Sequence, residues 1–275
     1  MIPASFEYRR AGSVEDALGW LAEDPDSTKL LAGGHSLLPL MKLRLATPGV
    51  LVDVGRVPGL SYVRDAGDHV AIGALTRHRD LEISEVARAF VPLLAHVAGQ
   101  VGDPQVRHRG TIGGSLAHGD PASDLPAAVL ALDATMVADG PRGRREIAAS
   151  DFFRGFLETA LEPDEMLTEI RVRKAPSGWA FQKFNRRAQD WAIVGVAAVL
   201  DGDPRVALVN MGSTTVRARG TEEALAAGAD AAEAADRASE GLEPSSDLHA
   251  SAEYRRHLAT VLVRRALVEA AAARG

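Results

Sequence analysis

The spacing of apolar and polar residues predicts mixed helices and strands over the first two thirds of the chain. Ser13 and Asp16 stand three positions apart, as in a capping box, and apolar residues follow at helical spacing until Pro25. From residue 29 the pattern indicates a short strand, a paired-glycine turn and a helix with Pro39 in its first turn. The same criteria predict strands at 50–54, 135–138 and 166–172, a hairpin of 61–64 with 69–72, and helices at 86–98 and 125–132.

After about residue 175 the pattern changes to a group of strands followed by helices. The predicted elements are strands at 180–185, 191–200 and 205–211 and alanine-rich helices at 222–238 and 251–273. We expect these strands, with the one at 166–172, to form a largely antiparallel sheet. In the last helix, one face is predicted to be apolar and is marked by Tyr254, Leu258, Val261 and Leu262. The other, solvent-facing sides are predicted to carry Arg255, Arg256, Arg264 and Arg265.

Two segments have a composition that interrupts the regular pattern. Residues 102–123 are polar and glycine-rich, and a passage of this length without regular structure is usually functional or disordered. Residues 174–178 contain a proline and a glycine where the pattern changes, as expected for a connection. We therefore divide the chain into domains 1–175 and 176–275.

Charge and hydropathy exclude some partners. The 275 residues carry 31 Lys and Arg against 37 Asp and Glu, so the net charge of −6 gives no general attraction to nucleic acid. The longest apolar run, 191–200, has about half of the ~20 residues needed to span a bilayer. The first ten residues lack the apolar core of a signal peptide, so we expect a soluble cytoplasmic protein.

The chain contains no cysteine. It therefore has no thiol nucleophile, and no thiolates that could hold an iron–sulfur cluster or a structural zinc. Its eight histidines form no His-Glu-x-x-His pair or similar cluster, so the sequence predicts no metal site.

Two glycine turns with nearby hydroxyls are the strongest candidates for a binding site. They are AGGHS at residues 32–36 and TIGGS at residues 111–115. Paired glycines let a backbone approach a bulky anion, so successive N–H groups can face phosphate oxygens. Two such loops could hold a diphosphate, whereas each one taken alone is equally compatible with an ordinary tight turn.

Familiar catalytic and nucleotide-binding motifs are missing. GHSLL at residues 34–38 begins like the Gly-x-Ser-x-Gly nucleophile elbow, but Leu38 occupies the second glycine position, which argues against a serine hydrolase. The chain also lacks both the Gly-x-Gly-x-x-Gly dinucleotide fingerprint and the phosphate-binding loop of NTPases.

Taken together, AGGHSLLP from residue 32, TIGGSL from residue 111 and DPASDLP from residue 120 resemble the FAD-binding medium subunit of molybdenum hydroxylases. The carbon monoxide dehydrogenase type is the nearer resemblance, and the flavin domain of xanthine dehydrogenase a more distant one. The resemblance implies an α+β, two-subdomain FAD-binding fold of the vanillyl-alcohol oxidase and xanthine dehydrogenase flavin-domain type. The two subdomains would divide near residues 53–60, and a small C-terminal α+β domain would follow.

The resemblance also implies an assembly and an electron path. The chain would bind FAD and join a small subunit with two [2Fe-2S] clusters and a large subunit with the molybdenum cofactor, as a dimer of heterotrimers. It would take electrons from those clusters and pass them to an external acceptor. The absence of cysteine agrees with iron–sulfur clusters supplied by a partner.

The same resemblance assigns cofactor contacts to individual positions, with no catalytic side chain among them. The implied FAD-binding residues are Leu31, Ala32, Gly33, Gly34, His35, Ser36, Leu37, Val101, Thr111, Ile112, Gly113, Gly114, Ser115, Asp124, Leu167, Lys183 and Trp191.

Several of these roles have a structural alternative. Asp124 would bind the flavin polyol or a sugar, or it would cap the following helix. Trp191 would cover a face of the flavin ring, or it would belong to the core. Lys183 would place a cation near the ring, although the xanthine dehydrogenase type aligns its lysine with Gln182, and Val101 and Leu167 would line the pocket or only the core.

Two other functions are compatible with the same motifs. One is a free-standing flavin oxidase or reductase of the same superfamily, which would be active alone. The other is an FAD-storing or assembly protein without turnover.

Overall fold

The computed structural model describes residues 2–274. The first subdomain is a three-stranded parallel sheet in the order β1-β3-β2 with two helices. Its elements are β1 (Glu7–Arg10), α1 (Val14–Glu23), β2 (Thr28–Leu31), α2 (Leu37–Lys42) and β3 (Val50–Asp53). Ser13 caps α1 as predicted, since its Oγ accepts from the N–H of Asp16 at 3.1 Å and the Asp16 carboxylate accepts from the N–H of Ser13.

The second subdomain is built on a five-stranded antiparallel sheet in the order β4-β5-β10-β6-β7. Its strands are β4 (Val63–Asp65), β5 (His69–Gly73), β6 (Thr135–Gly140) and β7 (Gly143–Ala148), a small hairpin of β8 (Phe153–Gly155) with β9 (Glu158–Thr159), and β10 (Met166–Arg173). Its helices are α3 (His78–Ile83), α4 (Glu85–Phe90), α5 (Pro92–Gln100), α6 (Pro104–Arg109), α7 (Ile112–His118), α8 (Asp124–Ala131) and α9 (Ala149–Phe152).

The remaining part is a four-stranded antiparallel sheet followed by helices. It contains β11 (Trp179–Phe184), β12 (Val194–Val199), β13 (Arg205–Val209) and β14 (Val216–Arg217), then α10 (Arg219–Ala226), α11 (Ala231–Asp236) and α12 (Ala252–Ala272). Helix α12 packs on β11 and β12, while α5 and α8 pack against the other side of the sheet. Every residue of β12 is therefore buried, which explains the continuous apolar run in the sequence.

Several predicted elements are wrong in extent or partnership. The helix predicted at 86–98 is interrupted at Val91, because Pro92 begins the new helix α5. The helix predicted at 222–238 is two helices, separated by a turn at Gly228, where φ is +90°. The strand predicted at 166–172 is β10, which pairs with β5 and β6 and not with the C-terminal strands. Periodicity identifies a strand but not its neighbours.

Two further corrections concern segments near the predicted site. The polar passage at 102–123 contains the short helices α6 and α7, each begun by a side-chain cap from Asp103 and Thr111 respectively. Arg255, predicted to face solvent, is buried in α12, whereas Tyr254 of the predicted apolar face is exposed.

Among the described residues, no helix combines the length and the apolar character that crossing a membrane requires. Residues 2–274 also bring together no group of three or more metal-ligating His, Asp or Glu side chains.

Candidate functional site

The fold brings the two glycine turns into direct contact. A Cβ atom on Gly33 would collide with the carbonyl oxygen of Arg109 and would lie 2.7 Å from Cα of Gly110. One on Gly114 would lie 3.9 Å from Cβ of Ala32. The first turn therefore packs on the backbone that leads into the second, although almost 80 residues separate them in sequence.

The position of each turn follows from the sheets. The first leaves β2 at the edge where the parallel strands end, and Gly34 adopts a φ of +78° that favours glycine. The second is held beside β5 by hydrogen bonds from Ile112 N–H to the Thr76 carbonyl (3.0 Å) and from Gly113 N–H to the Ala74 carbonyl (2.9 Å). Gly113 is buried against Ala74, which leaves no room for a side chain.

The two turns differ in the donors they offer. Within the part of the chain that the structure describes, the backbone N–H groups of residues 32–36 donate to no protein acceptor. In the second turn, Gly114 N–H donates to the Thr111 hydroxyl at 3.1 Å and Ser115 N–H to the Thr111 carbonyl at 3.0 Å. The first turn thus has a row of unused amide donors, whereas the amides of residues 112–115 in the second turn are used within the protein, two to hold the turn beside β5 and two in the first turn of α7.

Arg77 is a cation beside these turns that the sequence patterns did not indicate. It pairs with Thr111 in an antiparallel bridge, and its Nη1 donates to the carbonyl of Arg109. Burial and the nearby Arg109 lower the pKa of its guanidinium. Nothing in its local sequence marks it, because the fold alone brings residue 77 against residues 109–111.

A buried ion pair joins α8 to β11. Lys183 Nζ lies 2.7 Å from Asp124 Oδ2 and donates to the Gln100 carbonyl at 3.2 Å, next to Val101. Asp124 Oδ1 has no hydrogen-bond partner among the described residues. Burial raises the pKa of Asp124 to about 6, and Lys183 opposes that rise.

The geometry shows that Asp124 does not cap helix α8, which was the alternative role considered for it. Ser123, and not Asp124, occupies the N-cap position of α8, and its side chain makes no capping hydrogen bond. The Asp124 carboxylate points to Lys183 instead and keeps one oxygen available. A buried acceptor without a partner is costly unless a ligand supplies a donor.

Trp191 lies in the loop before β12, outside the strand that was predicted to begin there. Its side chain is 59% exposed, so the alternative that it belongs to the core is wrong. The loop is held by an Arg187–Asp190 ion pair at 3.1 Å and by Asn210, whose Nδ2 donates to the carbonyl of Ala192 at 3.0 Å. Its role as a cover for a flavin ring stays a prediction.

Three other predicted positions lie in β10, at the end of α5 and in the first turn: Leu167, Val101 and His35. Leu167 is buried in β10 as part of the main core, and Val101 is half-buried at the end of α5, so both are compatible with packing alone. His35 is exposed, and His118, which is not among the predicted positions, is half-buried at the end of α7 with a pKa lowered by burial. The candidate residues fall into two groups. One is the glycine turns with Arg77, and the other is the Asp124–Lys183 pair with Val101 and with Trp191, whose loop Asn210 ties to the turn before α8.

Helix α7 and the turn after it connect the two groups. Its seven residues span about 10 Å at ~1.5 Å per residue. The first group offers amide donors and a cation, as a phosphate requires, and the second offers a buried acceptor and an exposed indole ring. A ligand that contacts both groups must therefore be elongated, with an anionic part and an aromatic part.

Comparison with known proteins identifies the family. Residues 4–174 match the family described as "FAD binding domain in molybdopterin dehydrogenase", and residues 179–270 match the "CO dehydrogenase flavoprotein C-terminal domain". The carbon monoxide dehydrogenase medium chain of Hydrogenophaga pseudoflava is 44% identical over 97% of both chains. The nicotine 6-hydroxylase medium subunit of Paenarthrobacter nicotinovorans is 40% identical over 98% of this chain and 99% of the relative.

Comparison with solved structures indicates the same family. A chain of the carbon monoxide dehydrogenase from H. pseudoflava superposes with a TM-score of 0.94 at 44% identity, covering 99% of both chains. The chain belongs to the FAD-binding medium subunits of molybdenum hydroxylases, which are oxidoreductases. Within that class it is of the carbon monoxide dehydrogenase medium-chain type. The family and the α+β fold class inferred from the sequence are thereby confirmed.

Proposed function

We propose that this chain holds FAD along the two groups of residues and serves as the electron-transferring flavoprotein of a heteromeric molybdenum hydroxylase. The chemistry that FAD supplies when bound is acceptance of electrons from partner [2Fe-2S] clusters and their delivery to an external acceptor. The chain's own contribution is to bind, orient and shield the cofactor.

The unused amides of the first turn carry this proposal. Five consecutive N–H groups, at residues 32–36, have no acceptor within residues 2–274 and so can bind a diphosphate, and Gly33 lets them lie against the second turn. Arg77 adds the positive charge that neutral amides lack. The second turn contributes through the hydroxyls of Thr111 and Ser115.

The second group fits the remainder of the cofactor. Asp124 Oδ1 is a buried acceptor suited to a hydroxyl of the flavin polyol, and the ion pair with Lys183 limits the rise in the pKa of Asp124 that burial causes. The exposed indole of Trp191 is available to stack on one face of the flavin ring. Val101 lies next to Gln100, whose carbonyl accepts from Lys183, and so would contact the same end of the cofactor.

The partners are proposed from the relatives and from composition. Relatives at 40–44% identity are medium chains or subunits of larger enzymes. We propose a small subunit with two [2Fe-2S] clusters and a large molybdopterin subunit, arranged as a dimer of heterotrimers. The cysteine-free sequence supports this arrangement, because it cannot ligate the clusters itself. We also propose a domain boundary at 175/176, supported by the family matches ending at 174 and resuming at 179.

The proposal is tested by titrating the full chain with FAD and by isolating it with its partners. We expect one FAD per chain, iron only in the preparation that contains partners, and flavin reduction that follows bleaching of the clusters. Arg77→Met should weaken FAD binding about tenfold, whereas Arg79→Met, at a half-buried neighbour whose guanidinium pairs with Glu82 instead, should leave it unchanged. Absence of FAD from both preparations would contradict the proposal, and activity of the isolated chain with a substrate would favour a free-standing oxidase.

A further inference from the structure

Asn210 stands immediately after β13 in an unusual backbone conformation. Its φ is +62°, in the left-handed region that asparagine tolerates better than most other residues with a side chain. The conformation turns the chain sharply at the end of the strand. As a result, the backbone and the side chain of one residue face two different segments.

Both amide groups of Asn210 are used as donors. Its backbone N–H donates to the carbonyl of Pro121 at 2.8 Å, and its side-chain Nδ2 donates to the carbonyl of Ala192 at 3.0 Å. The acceptors belong to loops about 70 residues apart in sequence. One residue therefore ties the turn before α8 to the loop before β12.

One of these loops carries the exposed ring of the second group, and the other leads into α8, which begins with the buried acid. Ala192 directly follows Trp191, and Pro121 lies three residues before Asp124. The turn at Pro121 is stiffened by hydrogen bonds from Ser123 N–H and Ala122 N–H to Asp120. The position of Trp191 relative to Asp124 thus depends on Asn210, in addition to the Lys183–Asp124 pair.

We propose that Asn210 is a positioning residue of the cofactor site, which sets the placement of the Trp191 ring against the flavin. This inference rests on the proposed function, since it assumes that FAD occupies the site. Asn210 acts through Trp191 and through the turn at Pro121, and it does not itself contact the cofactor.

The choice of residue supports this role. Glycine would adopt the same backbone conformation but would lack the Nδ2 donor. Aspartate would tolerate the conformation but would place a carboxylate against the Ala192 carbonyl. Only asparagine among these combines the left-handed conformation with a side-chain donor.

The test compares Asn210→Gly with wild type in the full chain loaded with FAD. We expect an FAD dissociation constant about fivefold higher, which is the factor that one net hydrogen bond provides, and stronger flavin fluorescence because the stacked ring is less well placed. The control is Gln189→Gly in the same loop, also at positive φ (+74°), whose side chain makes no hydrogen bond among the described residues. It should behave as wild type.

A double variant distinguishes positioning from general stability. In a Trp191→Ala background, Asn210→Gly should no longer change flavin fluorescence, because the ring on which it acts is absent. If Asn210→Gly does not fold, Asn210→Asp carries the same comparison. If Asn210→Gly binds FAD and fluoresces like wild type, even with a lower melting temperature, the inference about Asn210 is overturned and the proposed function is not affected. Failure of wild type to bind FAD would overturn the proposed function with it.

Discussion

At the scale of single residues, the paired glycines of the first turn are required for different reasons. Gly34 needs its positive φ, whereas Gly33 needs space, because a Cβ there would collide with the backbone of Arg109 and Gly110. A backbone carbonyl cannot move aside as a flexible side chain can. The first turn and the second must therefore separate if Gly33 gains a side chain.

We predict that Gly33→Ala lowers FAD affinity by at least about tenfold, since the turns that would hold the diphosphate no longer meet. Gly19→Ala is the matched control, because Gly19 is exposed in α1 and a Cβ there would meet nothing within 4 Å. It should stabilise the protein by about 0.5–1 kcal/mol without affecting FAD. Fluorescence titration with FAD and urea unfolding measure the two effects. Equal affinity in both variants would remove the diphosphate role from this turn.

The buried Asp124 leads to a pH prediction. Burial raises its pKa from the usual 3.8 to about 6, so between those values the folded protein retains a proton that the unfolded chain has released. The contribution of Asp124 to stability therefore falls as the pH rises through this window. Asp124→Asn removes this dependence. Between pH 4 and 6, we expect the free energy of unfolding of wild type to fall relative to that of the variant by about 1 kcal/mol per pH unit. Parallel curves from urea unfolding would contradict the raised pKa.

The sequence indicated the turns but not their partners. Residues 32–36 and 111–115 stand out locally because of their glycines and hydroxyls. The contact between Asp124 and Lys183 spans 59 residues, and no local signal predicts which lysine reaches a given acid. Arg77 and Asn210 were missed for the same reason, since only the assembled fold brings them to the site.

At the scale of elements, α12 contains a buried arginine in place of an expected solvent-facing one. Arg255 is 1% exposed, and it donates to Asp247 Oδ2 at 2.6 Å, to the Ser245 carbonyl at 3.1 Å and to the carbonyl of Ile193. One guanidinium therefore holds the segment before α12 against the start of β12. Arginine can do this because its planar group offers several donors in fixed directions.

Arg255→Lys should therefore destabilise the protein by about 2–4 kcal/mol, because a single ammonium cannot satisfy acceptors in three directions. Arg256→Lys is the matched control: it lies one position further along α12, it is exposed, and its substitution should change stability by less than about 0.5 kcal/mol. Urea unfolding at neutral pH measures both. Similar midpoints for the two variants would show that the buried contacts contribute little.

Elements that are determined by neighbouring residues were predicted well, whereas the pairing of strands, which depends on packing between distant residues, was not. The capping box at Ser13 predicted α1 correctly, because both partners lie within one turn. The break before Pro92 was overlooked although its signal is local. Proline disfavours the continuation of a preceding helix and is a normal first residue of a new one. Strand β10 was recognised, but its sheet was not, since pairing with β5 and β6 connects distant parts of the chain.

At the scale of the whole molecule, the C-terminal sheet cannot bury both its faces by itself. One buried cluster includes Phe181 and Val209 of this sheet together with Leu94 of α5 and Leu125 of α8. The other face of the sheet forms a second cluster with α12. Each part of the chain therefore completes the core of the other, and we expect the two to unfold together.

Arg205 provides the test of this coupling. It is buried in β13, and its Nε donates to the carbonyl of Ala131 at 2.9 Å, where α8 ends. Arg205→Met leaves that buried carbonyl without this donor, at a cost of about 2 kcal/mol, which corresponds to a fall of about 5 °C in the melting temperature. Arg154→Met, on the exposed β8–β9 hairpin, should have no such effect. Scanning calorimetry should show one transition in wild type and in both variants, shifted only in Arg205→Met. If Arg205→Met instead separates the transition into two, the domains are stable independently, and the shared core does not couple them.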